Sequence, residues 1–422
     1  PPSPETSPLD PPDWADFREH LDTAVEAFVA HVRDRAAGAG PVWREMPDAI
    51  AETLLDDIGP EPLGTERALE RLIGDVLPYG VGNLHPRFMG WVHGAGTPGG
   101  MIAGLAEAAI NANLGGRNTG AAQVEHAIIE WTRDLFGFPQ GSSGILTSGT
   151  SMATVISLAA ARQAMSERDV ERDGLGPEGE RMRLYTSQAA HSCVATALRL
   201  LGFGRRALVT IETDDGGCMQ IGALQERIAA DRAQGLVPFA VVGTAGTVDI
   251  GAVDDLEAIA DLAERERLWF HVDGAFGAML QLSSSLRGRV EGIERADSIA
   301  FDFHKWLHVT YDCGCALVRR RDAHKAAFAG RPRYLEGLDE GLAAGERWFC
   351  DYGPELSRGF RALRVWFLLM EHGTDALAEA IEASVQRARQ LAALVDAEAD
   401  LERLAPVPLQ IVCFRVRPQP GE

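Results

Sequence analysis

Lys305 stands in the run Asp302-Phe303-His304-Lys305-Trp306-Leu307, directly after an apolar stretch ending at Phe301. Apolar neighbours disfavour an ammonium ion and leave an amine ready to attack an aldehyde, as a Schiff-base lysine must. A lysine reaching into solvent from a strand end is the plain alternative. Upstream, His271-Val272-Asp273-Gly274-Ala275 closes an apolar run with an aspartate, at the edge where α/β sheets commonly bind ligands. A carboxylate buried there demands a cation; a protonated ring nitrogen would serve, and so would an arginine or a helix start. Thr147-Ser148-Gly149-Thr150-Ser151 opens an amphipathic segment, so its amides and hydroxyls suit a phosphate or form a simple Ser/Thr cap. His191, in Ala189-Ala190-His191-Ser192-Cys193, could stack on a ring and move protons near neutral pH, although a solitary histidine is more often structural.

These groups need a sheet to hold them. From about residue 144 short β-rich runs alternate with amphipathic helices, the pattern of a mostly parallel sheet covered on both faces. Strands are predicted over 144–147, 182–186, 207–211, 238–243, 268–272, 297–301 and 315–319. Met152, Val155, Ile156 and Ala159 mark one helix face between them, and Leu256, Ile259 and Leu262 another. Before the sheet, a proline-rich arm over 1–12 leads into helical patterning from Trp14 to about Val76, with Phe17, Leu21, Val25 and Phe28 at helical spacing. After it, helical text runs from about 360 to 394, and a β-like stretch over 409–416 opens something new. The predicted organisation is a helical segment over 1–84, a large α/β domain over 85–385 and the start of a small C-terminal α+β domain over 386–422, apparently incomplete.

Composition narrows the partners. With 61 acidic against 40 basic residues the formal charge is −21, which repels nucleic acid and anionic membrane, so neither is an expected partner. The six cysteines form no C-x-x-C pair, so free thiols in a reducing cytosol and no metal centre are expected. No apolar run reaches the roughly 18 residues of a membrane span, and a cytoplasmic setting follows as the expectation. Gly94-Ala95-Gly96-Thr97-Pro98-Gly99 fits G-x-G-x-x-G, but the acidic ribose-binding residue is absent from 110–124, which disfavours a nicotinamide site.

The order of phosphate helix, histidine, strand-end aspartate and strand-end lysine resembles the group II pyridoxal-dependent decarboxylases over about 85–416. The stretch Ala296-Asp297-Ser298 through Asp302-Phe303-His304-Lys305-Trp306-Leu307 to Tyr311-Asp312-Cys313 carries most of the likeness, and Gly243-Thr244-Ala245-Gly246-Thr247 adds to it. The resemblance implies a fold type I architecture and pyridoxal 5'-phosphate (PLP) carried on Lys305. It implies that Asp273 pairs with the pyridine nitrogen, Ala275 underlies the ring and His191 stacks above it. Thr150, Ser151, Thr247 and His304 fall at cofactor-contact positions. Asp302 stands where aromatic-specific members carry an asparagine near the phosphate, and its role is open. A homodimer with the active site at the subunit interface is also implied.

The same resemblance implies decarboxylation of an L-amino acid through a quinonoid that a loop tyrosine reprotonates. Here that loop spans roughly 335–354, and Phe349 falls at or near the tyrosine's place with Tyr352 three residues on. Decarboxylation with Tyr352 supplying the hydroxyl is the first expectation; oxidative deamination to an aldehyde is the alternative, with transamination or another lyase reaction behind it. Trp91, Val92 and His93 match the family's substrate-side segment; Trp91 points to an aromatic or apolar contact, Val92 and His93 equally to a smaller or polar side chain, and aromatic amino acids are the first choice.

Overall fold

A computed structural model of the chain describes residues 9–56, 58–330, 340–345 and 348–418. Residues 1–8 of the proline-rich arm, and 335–339 and 346–347 of the loop read over 335–354, lie outside them. The chain forms two compact units, Pro1–Pro98 and Gly99–Glu422.

The first unit is helical, as its periodicity predicts. Its longest helix, Trp14–Ala36, starts where the Asp13 carboxylate accepts from the Ala15 N–H at 2.6 Å, and it ends with Arg33 and Arg35 facing the negative pole. Shorter helices Asp48–Thr53 and Thr65–Arg71 follow. Sequence alone closes this unit at 84; it extends to Pro98 and so includes Trp91, Val92 and His93.

The second unit is built on a seven-stranded sheet. Its strands are β1 (Ser143–Thr147), β2 (Met182–Ser187), β3 (Leu208–Ile211), β4 (Val237–Thr244), β5 (Trp269–Asp273), β6 (Ser298–Asp302) and β7 (Gly314–Val318). The order across the sheet is β1-β7-β6-β5-β4-β2-β3. The pairs β3/β2, β2/β4, β4/β5 and β5/β6 are parallel, whereas β7 runs antiparallel to both β1 and β6. Every residue of β1, β5, β6 and β7 is buried, which explains their continuous apolar text rather than an alternating one.

Helices cover the sheet. Leu256–Glu266 buries Leu256, Ile259 and Leu262, the face its spacing predicts. The helix Thr150–Met165 differs from its expected single stripe: Ala153, Thr154 and every residue from Ile156 to Ala161 are buried, while Met152 and Val155 are only half-buried. Leu158, Ala160 and Ala161 join Cys193, Val194, Ala197, Phe239 and Trp269 in one cluster, so small residues let this helix lie inside the fold.

Toward the end, Arg361–Ala397 is helical but broken at Gly373, whose φ of 71° only glycine adopts freely. The expected boundary at 385/386 falls inside this helix. Of the β-like run 409–416 only Phe414–Val416 (β9) is a strand; it pairs antiparallel with Leu401–Arg403 (β8) in a separate two-stranded sheet. No helix among the described residues is long and apolar enough to cross a membrane.

Candidate active site

Asp273 and Asp302 are the last residues of the parallel neighbours β5 and β6, so both carboxylates emerge at the same sheet edge. Asp273 is 2% exposed. One of its oxygens accepts from the Ala275 N–H at 3.2 Å and the other from the Cys193 thiol at 3.5 Å. Burial pushes its carboxyl above the usual range, against the opposing pull of Lys305, the Ala275 N–H, His191 and Cys193. A thiol is a weak donor, and among the described residues this carboxylate forms no ion pair. Ala275 follows in a tight turn whose carbonyl accepts from the Asp302 N–H at 2.9 Å.

Lys305 lies in the loop after β6. Its amine sits 3.0 Å from Asp302 Oδ2, and its side chain is 23% exposed. The wholly apolar surroundings expected from the sequence are corrected here: the chain turns back after Phe303 and brings Asp302 against the amine. The other oxygen of Asp302 accepts from the Thr150 N–H at 2.6 Å, at the start of the phosphate-type helix. His304 lies 3.6 Å from Asp302 through Nε2, while its Nδ1 accepts from the Cys313 N–H at 3.0 Å and its ring faces Tyr311. Burial pushes the His304 imidazole below its usual range, with Asp302 opposing.

The helix start itself holds Thr150, whose buried hydroxyl has no hydrogen-bond partner among the described residues, and Ser151, which is exposed. His191 is exposed, and its Nδ1 accepts from the Cys193 N–H at 3.2 Å, which fixes the ring at the entrance to the helix Cys193–Leu200. Lys305 and His191 are both near enough to act on the charge of Asp273. Thr247 is different: its hydroxyl accepts from the Ala252 N–H at 2.9 Å and closes the loop after β4.

The structure does not bring Phe349 and Tyr352 to this group. Tyr352 is buried with its carbonyl accepting from His324 Nε2 at 2.8 Å, and His324 Nδ1 bonds the Ser143 hydroxyl at 2.8 Å. Ser143 begins β1, whereas the helix carrying Thr150 and Ser151 leaves its other end. Phe349 stacks on His126 with ring centroids 4.5 Å apart. Within this chain the Tyr352 ring packs on His324, whose Nδ1 bonds Ser143 at the opposite end of β1 from Thr147. Trp91, Val92 and His93 belong to the first unit, where Trp91 is 80% exposed at φ 54° and its ring lies 5.8 Å from His93.

Sequence reading missed Cys193, whose thiol touches Asp273; its place two residues after His191 was the available signal. It also missed the buried pair Glu125 and Arg358. Arg358 donates to both Glu125 oxygens, at 2.5 and 3.1 Å, and to the Leu146 and Leu114 carbonyls. Separated by 233 residues, the two share no local pattern.

The donors fit PLP. The partnerless Thr150 hydroxyl and the Ser151 end of the helix suit a phosphate, the under-satisfied Asp273 suits a protonated ring nitrogen, and Lys305 is the reachable amine between them.

Comparison with known proteins agrees. The family described as "Pyridoxal-dependent decarboxylase conserved domain" matches residues 53–417. An aromatic-L-amino-acid decarboxylase of Bacillus atrophaeus is 37% identical over 338 residues, covering 79% of this chain and 68% of that protein. An L-2,4-diaminobutyrate decarboxylase of Acinetobacter baumannii is 27% identical over 421 residues, 96% of this chain and 81% of that protein. The crystal structure of Oryza sativa TDC with PLP and tryptamine superposes with a TM-score of 0.87 at 26% identity, covering 97% of this chain and 85% of that one. Fold, site and matches together make this chain a member of the pyridoxal-dependent decarboxylases, enzymes that use PLP to release carbon dioxide from amino acids.

Proposed function

We propose that this enzyme decarboxylates an aromatic L-amino acid, with its PLP carried on Lys305. The observation that carries the reading is one partly exposed amine, Lys305, set at the same sheet edge as one buried and poorly satisfied carboxylate, Asp273. When bound, PLP offers a protonated ring that accepts the electron pair left by departing carbon dioxide. Asp273 holds the proton on that ring's nitrogen. Thr150 Oγ1, Ser151 and His304 would hold the phosphate end, and Ala275 and His191 would line the ring. Because Tyr352 is packed on His324, the proton returned to carbon comes from the exposed His191. The aromatic preference rests on the similarity to the Bacillus atrophaeus enzyme.

Phe349 favours a second reading. Without a prompt hydroxyl donor, dioxygen can take the electrons instead: amino acid, dioxygen and water then yield aldehyde, carbon dioxide, ammonia and hydrogen peroxide. A pairing of two copies is also proposed, supported by exposed Ile102, Leu105 and Ile110 along the helix Pro98–Ile110 and by exposed Trp14, Val29 and Trp43 in the first unit. Sedimentation as a monomer at micromolar concentration would reject it.

The deciding assay incubates PLP-loaded protein with tryptophan, tyrosine, phenylalanine, histidine or 2,4-diaminobutyrate and follows carbon dioxide, ammonia and peroxide. Carbon dioxide alone, largest with an aromatic substrate, is the expected result. Equimolar ammonia and peroxide would replace it with the aldehyde reading, and a keto acid without carbon dioxide would reject both.

A further inference from the structure

Asp302 occupies a place that a phosphate-binding helix would be expected to keep free of anions. Its carboxylate is 2% exposed, caps the helix Thr150–Met165 through the Thr150 N–H at 2.6 Å, and pairs with Lys305 at 3.0 Å. The backbone makes room for it. A Cβ on Gly314 would come within 2.7 Å of Asp302 Oδ1 and 2.5 Å of Gly149 Cα, so only glycine leaves this space open. Beside the carboxylate, the Thr150 hydroxyl is buried without a partner among the described residues.

We infer that Asp302 is a positioning residue that serves as a resident counter-anion, neutralising the helix pole and anchoring Lys305, and thereby limits how tightly the chain grips the cofactor's phosphate. The inference rests on the PLP reading of the site. A helix pole attracts one negative charge, and a second anion arriving there meets the first at short range in a buried setting where screening is weak. The phosphate must therefore rely on the Thr150 and Ser151 hydroxyls, His304 and the remaining amides. Were Asp302 only a helix cap, loss of its charge would leave phosphate recognition unchanged, since an asparagine oxygen can still accept the Thr150 N–H.

The test measures dissociation constants of PLP, pyridoxal and inorganic phosphate for the cofactor-free wild type, Asp302→Asn and Asp302→Glu. Asp302→Asn should tighten inorganic phosphate and raise the preference for PLP over pyridoxal by about tenfold or more, as removal of a neighbouring like charge implies. Asp302→Glu, which keeps the charge, should show neither gain. An unchanged or lower preference in Asp302→Asn overturns the inference. The wild type gives an answer without any variant: its own preference for PLP over pyridoxal should stay below about a thousandfold, because charge-assisted bonds to the phosphate are partly offset, and a larger preference overturns the inference. If PLP binds none of the three folded proteins, the cofactor reading fails instead.

Discussion

Replacing His324 with glutamine should flatten the loss of stability on acidification. His324 is fully buried, bonded to the Ser143 hydroxyl and the Tyr352 carbonyl, and burial pushes its imidazole down to about 4 from an ordinary 6.5. A histidine with a lowered folded value gives its full stability above 6.5 and loses it as pH falls toward 4, because the unfolded chain takes the proton first. Each tenfold difference in proton affinity between the folded and unfolded chains is worth roughly 1.4 kcal/mol. Between pH 7 and pH 5 the loss therefore amounts to about 2 kcal/mol, with a limit of about 3 kcal/mol at lower pH. Glutamine can donate to the Tyr352 carbonyl and accept from Ser143 but takes up no proton. Urea unfolding of both proteins at pH 7.5, 6.5, 5.5 and 5.0 measures the difference. The wild type should be the more stable at pH 7.5, and its lead should shrink by about 2 kcal/mol by pH 5. Parallel curves over that range would refute the argument that this ring is held neutral.

Lys305→Ala should abolish borohydride-stable labelling of the chain by PLP, read by peptide mass spectrometry, and an adduct at another lysine would reject the assignment. Asp273→Asn should weaken PLP binding by about a hundredfold or more, since one partner of a buried charge pair is lost; fluorescence titration checks it. His191→Gln should lower kcat for carbon dioxide release by about 10² to 10⁴ with little change in PLP affinity, and an unaltered kcat would remove it as proton donor. Glu125→Gln should cost about 3 to 5 kcal/mol in urea unfolding by stranding the buried Arg358 guanidinium.

Local text showed much of this architecture. Each of the seven main strands lies within a residue or two of its predicted span, because strands buried on both faces read as uninterrupted apolar runs. The small differences matter: extending the predicted strands by one residue puts Asp273 and Asp302 inside β5 and β6 and fixes the direction of both carboxylates. What the text could not show was direction and distance. Nothing in residues 314–318 signals that β7 runs opposite to β6, and the bond from Thr150 to Asp302 spans 152 residues. The setting of Lys305 was misread because its sequence neighbours are apolar while its neighbour in space, Asp302, is three residues back. The surroundings of Tyr352 were hidden for a similar reason: its partner His324 and that partner's anchor Ser143 come from separate parts of the chain.

The antiparallel β7 sets Thr147, Gly314 and Asp302 side by side on a single rung, because Gly314 pairs with both of the others. That rung is a ruler. A one-residue slip of β7 would replace Gly314 with Cys313 or Cys315 at the crossing, put a side chain into the gap and turn every β7 side chain to the opposite face of the sheet. Insertions in the 303–313 connection are thus tolerable only if they leave this alignment untouched, which makes one short strand the strictest guardian of the chemistry beside it.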